Sequence, residues 1–126
     1  MNAKQLLNVG YAAARIGIGV VATVDPARIG RTWIGDSADE TPTKVILRGL
    51  GARDFALGAG TIEATLVGRG VAAWLGFSAL ADLGDLTATL AGKDGLPSKG
   101  VKLTAFLAGS GFVSGLVLLA LELNGD

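Results

Sequence analysis

Apolar and polar positions alternate along this chain in long blocks, giving four segments of membrane-spanning length separated by polar breaks. The last block is the cleanest. Leu103 to Leu121 reads LTAFLAGSGFVSGLVLLAL, with no charge and no Pro. At about 1.5 Å of rise per residue, it is long enough to cross a hydrocarbon core of about 30 Å. It is apolar on every face, unlike the half-wet helix of a small soluble domain. With its flanks it predicts a helix over 99–123. The earlier blocks predict helices over 3–24, 42–67 and 71–91, each carrying charge at mid-membrane depth. The expected fold is all-α: a bundle of four transmembrane helices, arranged as two antiparallel helical hairpins, in a single integral membrane domain spanning 1–126. A soluble helical bundle is the alternative that the mid-helix charges leave open.

The breaks have local causes. Asp25-Pro26 ends the first helix, because the residue before Pro is pushed out of helical geometry. PARIGRTWIG, 26–35, reads as a short interfacial segment with Trp33 at headgroup depth. Thr41-Pro42 offers a cap followed by Pro at the first helical position. Gly68-Arg69-Gly70 makes a tight turn between the second and third spans, and GKDGLPS, 92–98, is the second polar loop. Lys4 ahead of an apolar stretch suggests a signal peptide. Arg15 interrupts that stretch, however, and Thr23-Val24-Asp25-Pro26 is no small-residue cleavage site, so the segment reads as a retained helix.

Composition agrees. Only 17% of residues are charged, against about 25% in ordinary soluble domains. Mean hydropathy is +0.52. The 20 Gly fit membrane helices, where Gly is frequent. Net charge is zero, so nothing points to nucleic acid. Without Cys or His there is no thiol chemistry, and the usual metal ligand and general base are missing. No cofactor or metal site is expected. No dinucleotide fingerprint or phosphate loop is present.

Orientation follows from Lys and Arg in short loops. Arg28, Arg31, Lys44, Lys93, Lys99 and Lys102 flank the 25–44 and 92–102 loops; Lys4 and Arg69 lie at the other end. The bias places those loops in the cytoplasm and both termini outside, in a multi-pass protein of the cell membrane.

Seven ionisable groups fall inside the expected spans: Arg15, Arg48, Arg53, Asp54, Glu63, Asp82 and Asp85. Arg48 and Glu63 lie near helix ends. A charge at the bilayer centre costs about 2.5–3.5 kcal/mol even on lenient scales. The other five should therefore face one another. Spacing supports this. Ser78, Asp82, Asp85 and Thr89 form one helical stripe; Gly51, Asp54, Gly58, Thr61 and Thr65 form another; Asn8, Ala12, Arg15, Gly19 and Ala22 form a third. The tight turn at Gly68-Arg69 sets Arg53 level with Gly84, between two Asp. Two Arg against three Asp leave one carboxyl without a full partner. Asp82, Asp85, Asp54, Arg53 and Arg15 are thus the candidate site residues. Gly111-x-x-x-Gly115 and Ser110-x-x-x-Ser114 permit close helix contact, within the bundle or between copies. Trp33, Trp74 and Tyr11 read as interfacial anchors.

The segment Gly49-Leu50-Gly51-Ala52-Arg53-Asp54-Phe55-Ala56-Leu57-Gly58, with Ala79-Leu80-Ala81-Asp82-Leu83-Gly84-Asp85, Arg15-Ile16-x-Ile18-Gly19 and Pro26…Trp33-Ile34-Gly35, resembles uncharacterised small four-helix integral membrane proteins common in actinobacteria, with related domains in fungi. The specific part is the Gly-x-Arg-Asp-x-x-x-Gly core and the Asp-x-x-Asp pair. The resemblance implies four spanning helices and the same buried charges, and it brings no reaction.

Three roles stay open. The first is an accessory or interaction protein whose Arg/Asp network holds the bundle, as a homo-oligomer or a subunit of a membrane complex. The second is a small membrane enzyme acting on a lipophilic small molecule, with Asp82 or Asp85 as acid/base and Arg53 as anion stabiliser. The third is a proton-linked carrier. An apolar pocket reaching the Asp pair favours the enzyme, a wet path favours transport, and a filled bundle favours the structural role.

Overall fold

A computed structural model describes residues 1–125, and among them the chain is all-α with no strand. Five α-helices follow one another: α1 Ala3–Val24, α2 Pro26–Trp33, α3 Thr41–Val67, α4 Val71–Ala91 and α5 Ser98–Asn124. Short 3-10 turns at Asp36–Asp39 and Lys93–Gly95 complete the two longer connections. Asp126, expected on the outer side, lies outside the described residues.

The ends follow from local chemistry. Asn2 and Gln5 cap α1 reciprocally, Asn2 Oδ1 accepting from the Gln5 N–H at 2.8 Å and Gln5 Oε1 from the Asn2 N–H at 2.9 Å. Pro26 opens α2. Helix α3 begins one residue earlier than expected: Thr41 is already helical, Glu40 occupies the cap position, and no side chain caps it. Pro stands within the first two positions, where its missing N–H costs nothing. Gly68 and Gly70 take φ of 77° and 78°, the left-handed region that lets α3 turn directly into α4.

Two helix pairs pack most closely: α1 against α3, and α4 against α5. Small residues make the first contact possible. A Cβ on Gly51 would stand 2.6 Å from the Gly19 carbonyl, and one on Gly58 would stand 2.6 Å from the Ala12 carbonyl. Gly111 and Gly115 of α5 do the same inside the bundle. Gly111 lies against the Asp82 carboxylate, and Gly115 would place a Cβ 2.9 Å from the Tyr11 hydroxyl. This Gly-x-x-x-Gly face is therefore used within the chain. At the end that holds the α3–α4 turn, Ala64, Val71, Leu75 and Leu118 form an apolar core with Tyr11, Trp74 and Leu119 against it.

At the opposite end, α2 lies across the bundle. Pro26, Ala27 and Gly30 are its buried residues, and Gly100 of α5 approaches the Thr32 carbonyl closely. Arg31 donates to Asp39 at 2.8 Å, tying α2 to the following turn. That hydrogen bond holds the Asp39 carboxyl below its ordinary range. Its contribution is present above the usual carboxylate pKa and is lost as pH falls through the lowered value; full exposure keeps it small.

Buried and exposed positions are distributed in an unusual way. Asn8, Arg15, Thr61, Thr65, Ser78, Asp82 and Thr89 are buried, while Leu6, Val45, Ile46, Phe55, Leu80, Phe106 and Val117 are exposed. Helices α1 and α5 are long and apolar enough to cross a membrane, with mean hydropathies of 1.4 and 1.9 over their most apolar stretches. Those stretches are only 28% and 17% buried, unlike the core helix of a soluble protein.

The glycine contacts give a direct test. Gly51→Ala should lower stability by about 1–3 kcal/mol, because the methyl must push α1 off α3. Gly49→Ala, with open space around its Cβ, should be neutral or stabilising by up to about 1 kcal/mol. Unfolding in mixed micelles, followed by circular dichroism, measures both.

Candidate functional site: a buried Arg/Asp network under an apolar cavity

Helices α1, α3 and α4 bring their polar stripes together near mid-length. The buried residues of α1 are Asn8, Ala12, Arg15, Gly19 and Ala22, the stripe expected from spacing. Arg15 is 7% exposed. Its Nη1 donates to Asp54 Oδ1 at 3.1 Å, and its Nη2 donates to the Asp82 carboxylate and to the Ser78 carbonyl at 3.3 Å. Arg53 forks onto Asp85, Nη1 to Oδ1 at 3.0 Å and Nη2 to Oδ2 at 2.8 Å. Its Nε and Nη2 also reach Asp54 Oδ1, at 3.1 and 2.9 Å. Asp54 Oδ1 is thus shared by both guanidiniums. Such two-pronged charged hydrogen bonds are the strong kind, and they fix helix register as well as charge.

All five candidate residues join this one network. Arg48 and Glu63 do not. Arg48 donates to the Thr23 carbonyl at 3.1 Å at the end of α1, and Glu63 is exposed. One member escaped the sequence reading. Tyr11, expected as an interfacial anchor, turns inward. Its hydroxyl donates to the Gly111 carbonyl at 3.2 Å, with Asp82 Oδ2 at 3.4 Å as the alternative acceptor. Its ring lies beside the Arg15 guanidinium, 5.7 Å from centroid to Cζ. The spacing from Tyr11 to Arg15, one helical turn, was the available signal. Glu122 lies outside this network. It accepts from Asn8 Nδ2 at 2.8 Å and pairs with Lys4 at 3.5 Å, closing α5 onto α1 at the far end.

Above the network lies a partly open cavity of about 340 Å³, within the range of small-molecule sites. Ile18 and Ala22 of α1, Leu47 and Leu50 of α3, and Leu103, Thr104, Leu107 and Ala108 of α5 form its walls. Ile29, Thr32 and Trp33 of α2 cover it, with exposed Arg28 beside them. Trp33 corrects an expectation: rather than standing free as an anchor, its indole Nε1 donates to Thr89 Oγ1 at 3.0 Å, fastening α2 to α4. Asp54, Asp82 and Asp85 also line the cavity. Trp74 stacks edge-on against Phe77 and over Gly60, away from the cavity.

The arrangement presents hydrogen-bond acceptors to an apolar space. Arg53 has Nε, Nη1 and Nη2 all directed at carboxylates. Four of its five N–H donors are used this way, and the second N–H of Nη1 has no acceptor among the described residues. Among the described residues, no group of three His, Asp or Glu side chains is placed to hold a metal ion. No protein-family model, curated protein or solved structure matches the chain.

Removing one member of the network exposes its coupling. Arg53→Ala should destabilise by about 3–5 kcal/mol, because Asp85 is left partly buried and unpaired. Arg53→Ala with Asp85→Ala should recover part of that loss. A double-mutant cycle in detergent reads the coupling; additive losses would mean the pair does not act as a unit.

Proposed function

We propose that the chain is a four-span protein of the cell membrane that binds a lipophilic small molecule, with the Arg/Asp network as the scaffold of its site. One observation carries this reading: an apolar cavity, large enough for a small molecule, opens onto the buried Asp82 carboxylate and the partly buried carboxylates of Asp54 and Asp85. The membrane setting is supported by the outward apolar residues of all four long helices and the inward polar residues of α1, α3 and α4, an arrangement a soluble surface rarely tolerates over so large an area. The resemblance to small four-helix actinobacterial membrane proteins points the same way. In this setting the 25–44 and 92–102 loops, and with them the cavity mouth under α2, face the cytoplasm.

An accessory role, alone or as a subunit of a larger complex, is compatible with this reading, since a bound lipophile and a partner can share the bundle. An enzyme acting on the same molecule is the second reading. Its favouring observation is that Asp82 faces the cavity with one oxygen that accepts nothing from the described residues. Proton-linked transport has less support, because the apolar core of Ala64, Val71, Leu75 and Leu118 fills the other half of the bundle.

The protein should stay with membranes through alkaline carbonate washing. A cysteine at Lys93 should react with an impermeant maleimide only after permeabilisation, and one at Asn124 should react in intact cells. The reverse labelling pattern would invert the orientation. For the site, native mass spectrometry of protein extracted in mild detergent should show a bound small molecule. Leu50→Trp, which fills the cavity wall, should lose it without loss of helicity. Identical spectra for both proteins would refute binding in this cavity.

A further inference from the structure

The charge on the cavity wall specifies the kind of molecule more narrowly than its volume does. The three carboxylates line the cavity, and the two guanidiniums that pair with them are not among its lining residues. Two Arg against three Asp leave the network one negative charge in formal excess. The hydrogen bonds show where it is available. Asp85 has both oxygens occupied by Arg53. Asp54 accepts through Oδ1 only, and Asp82 through Oδ2 only. Asp54 Oδ2 and Asp82 Oδ1 therefore receive no donor from the described residues, although Asp82 is only 8% exposed. Neither oxygen is among the fully enclosed atoms that lack a partner, so each keeps access on the side where its carboxylate lines the cavity. The carboxylates are not grouped as a metal site requires. The positive charge nearest the mouth, Arg28, is exposed and already paired with Asp25 at 3.1 Å.

Resting on the reading of this cavity as a ligand site, we propose that it selects a lipophilic organic cation. An ammonium group donates to Asp82 Oδ1 and Asp54 Oδ2 and balances the excess charge, while its hydrocarbon lies along Leu47, Leu50 and Leu107. An alcohol with the same tail supplies a donor but no charge. A carboxylate with that tail meets a negative floor. Affinity should therefore follow head-group charge at constant tail.

The test uses decylammonium, decanol and decanoate, titrated calorimetrically into protein reconstituted in nanodiscs of zwitterionic lipid, with empty nanodiscs as the blank for bilayer partitioning. Decylammonium should bind at least about tenfold more tightly than decanol, the factor that about 1.4 kcal/mol represents, and decanoate should bind weakest. Asp82→Asn keeps an acceptor for Arg15 but removes the excess charge, so the ammonium-to-alcohol ratio should fall toward one. Leu50→Trp should weaken both ligands. Equal affinity for decylammonium and decanol in the unmodified protein, with both lost in Leu50→Trp, would overturn the cation inference and leave the cavity reading standing. Absence of saturable binding by all three, or binding indifferent to Leu50→Trp, would overturn both. The head-group comparison is made on the unmodified protein, so it decides the matter even if Asp82→Asn does not fold.

Discussion

Everything in this bundle depends on placing two guanidiniums and three carboxylates where water does not reach freely. An unmatched charge there is costly, and it becomes tolerable only when partners arrive with good geometry and their remaining hydrogen bonds are met. Asp54 Oδ1 is the point where this happens, since it accepts from both Arg15 and Arg53. Helix α1 is tied through it to α3, and the two Arg carry the tie onward to Asp82 and Asp85 of α4. Helix α5 meets this network through its backbone, as the Gly111 carbonyl takes the Tyr11 hydroxyl, and meets α1 separately through Glu122.

Small residues make this geometry reachable. Side chains of ordinary size on the facing stripes of α1 and α3 would hold the helices too far apart for Arg15 to span to Asp54. Gly19, Gly51 and Gly58 remove that obstacle, and the close approach adds packing contact between the two helices. The same economy of volume leaves space on the α2 side. There the helices diverge enough to enclose a cavity, whereas Leu75 and Leu118 close the opposite half.

Much of this was legible in the chain. Helix existence followed from long apolar blocks, and most boundaries came within one residue of the structure because Asp25-Pro26 and the Gly68–Gly70 turn are strong local signals. The network was legible because buried charges have few alternatives to facing one another; the level of Arg53 followed from a turn too short to allow slippage. Tyr11 and Trp33 were misread for a common reason. An aromatic residue with a polar tip suits the headgroup region and a polar interior equally, and only tertiary contacts separate the two. The cavity was invisible for a different reason. It is the space left by α2 crossing the bundle, and no residue type encodes a gap.

The distance along the chain between paired charges imposes an order on assembly. Arg15 belongs to the first helix made, yet its partners Asp54 and Asp82 lie 39 and 67 residues further on. In the proposed membrane setting, α1 alone carries an uncompensated cation as the ribosome extends the chain and is a poor candidate for release into lipid. When α3 emerges, Asp54 arrives together with Arg53, so the α1–α3 pair still carries one uncompensated cation until α4 supplies Asp82 and Asp85. In that setting the insertion apparatus must hold α1 until α4 brings Asp82, 67 residues after Arg15 and just over half the length of the chain.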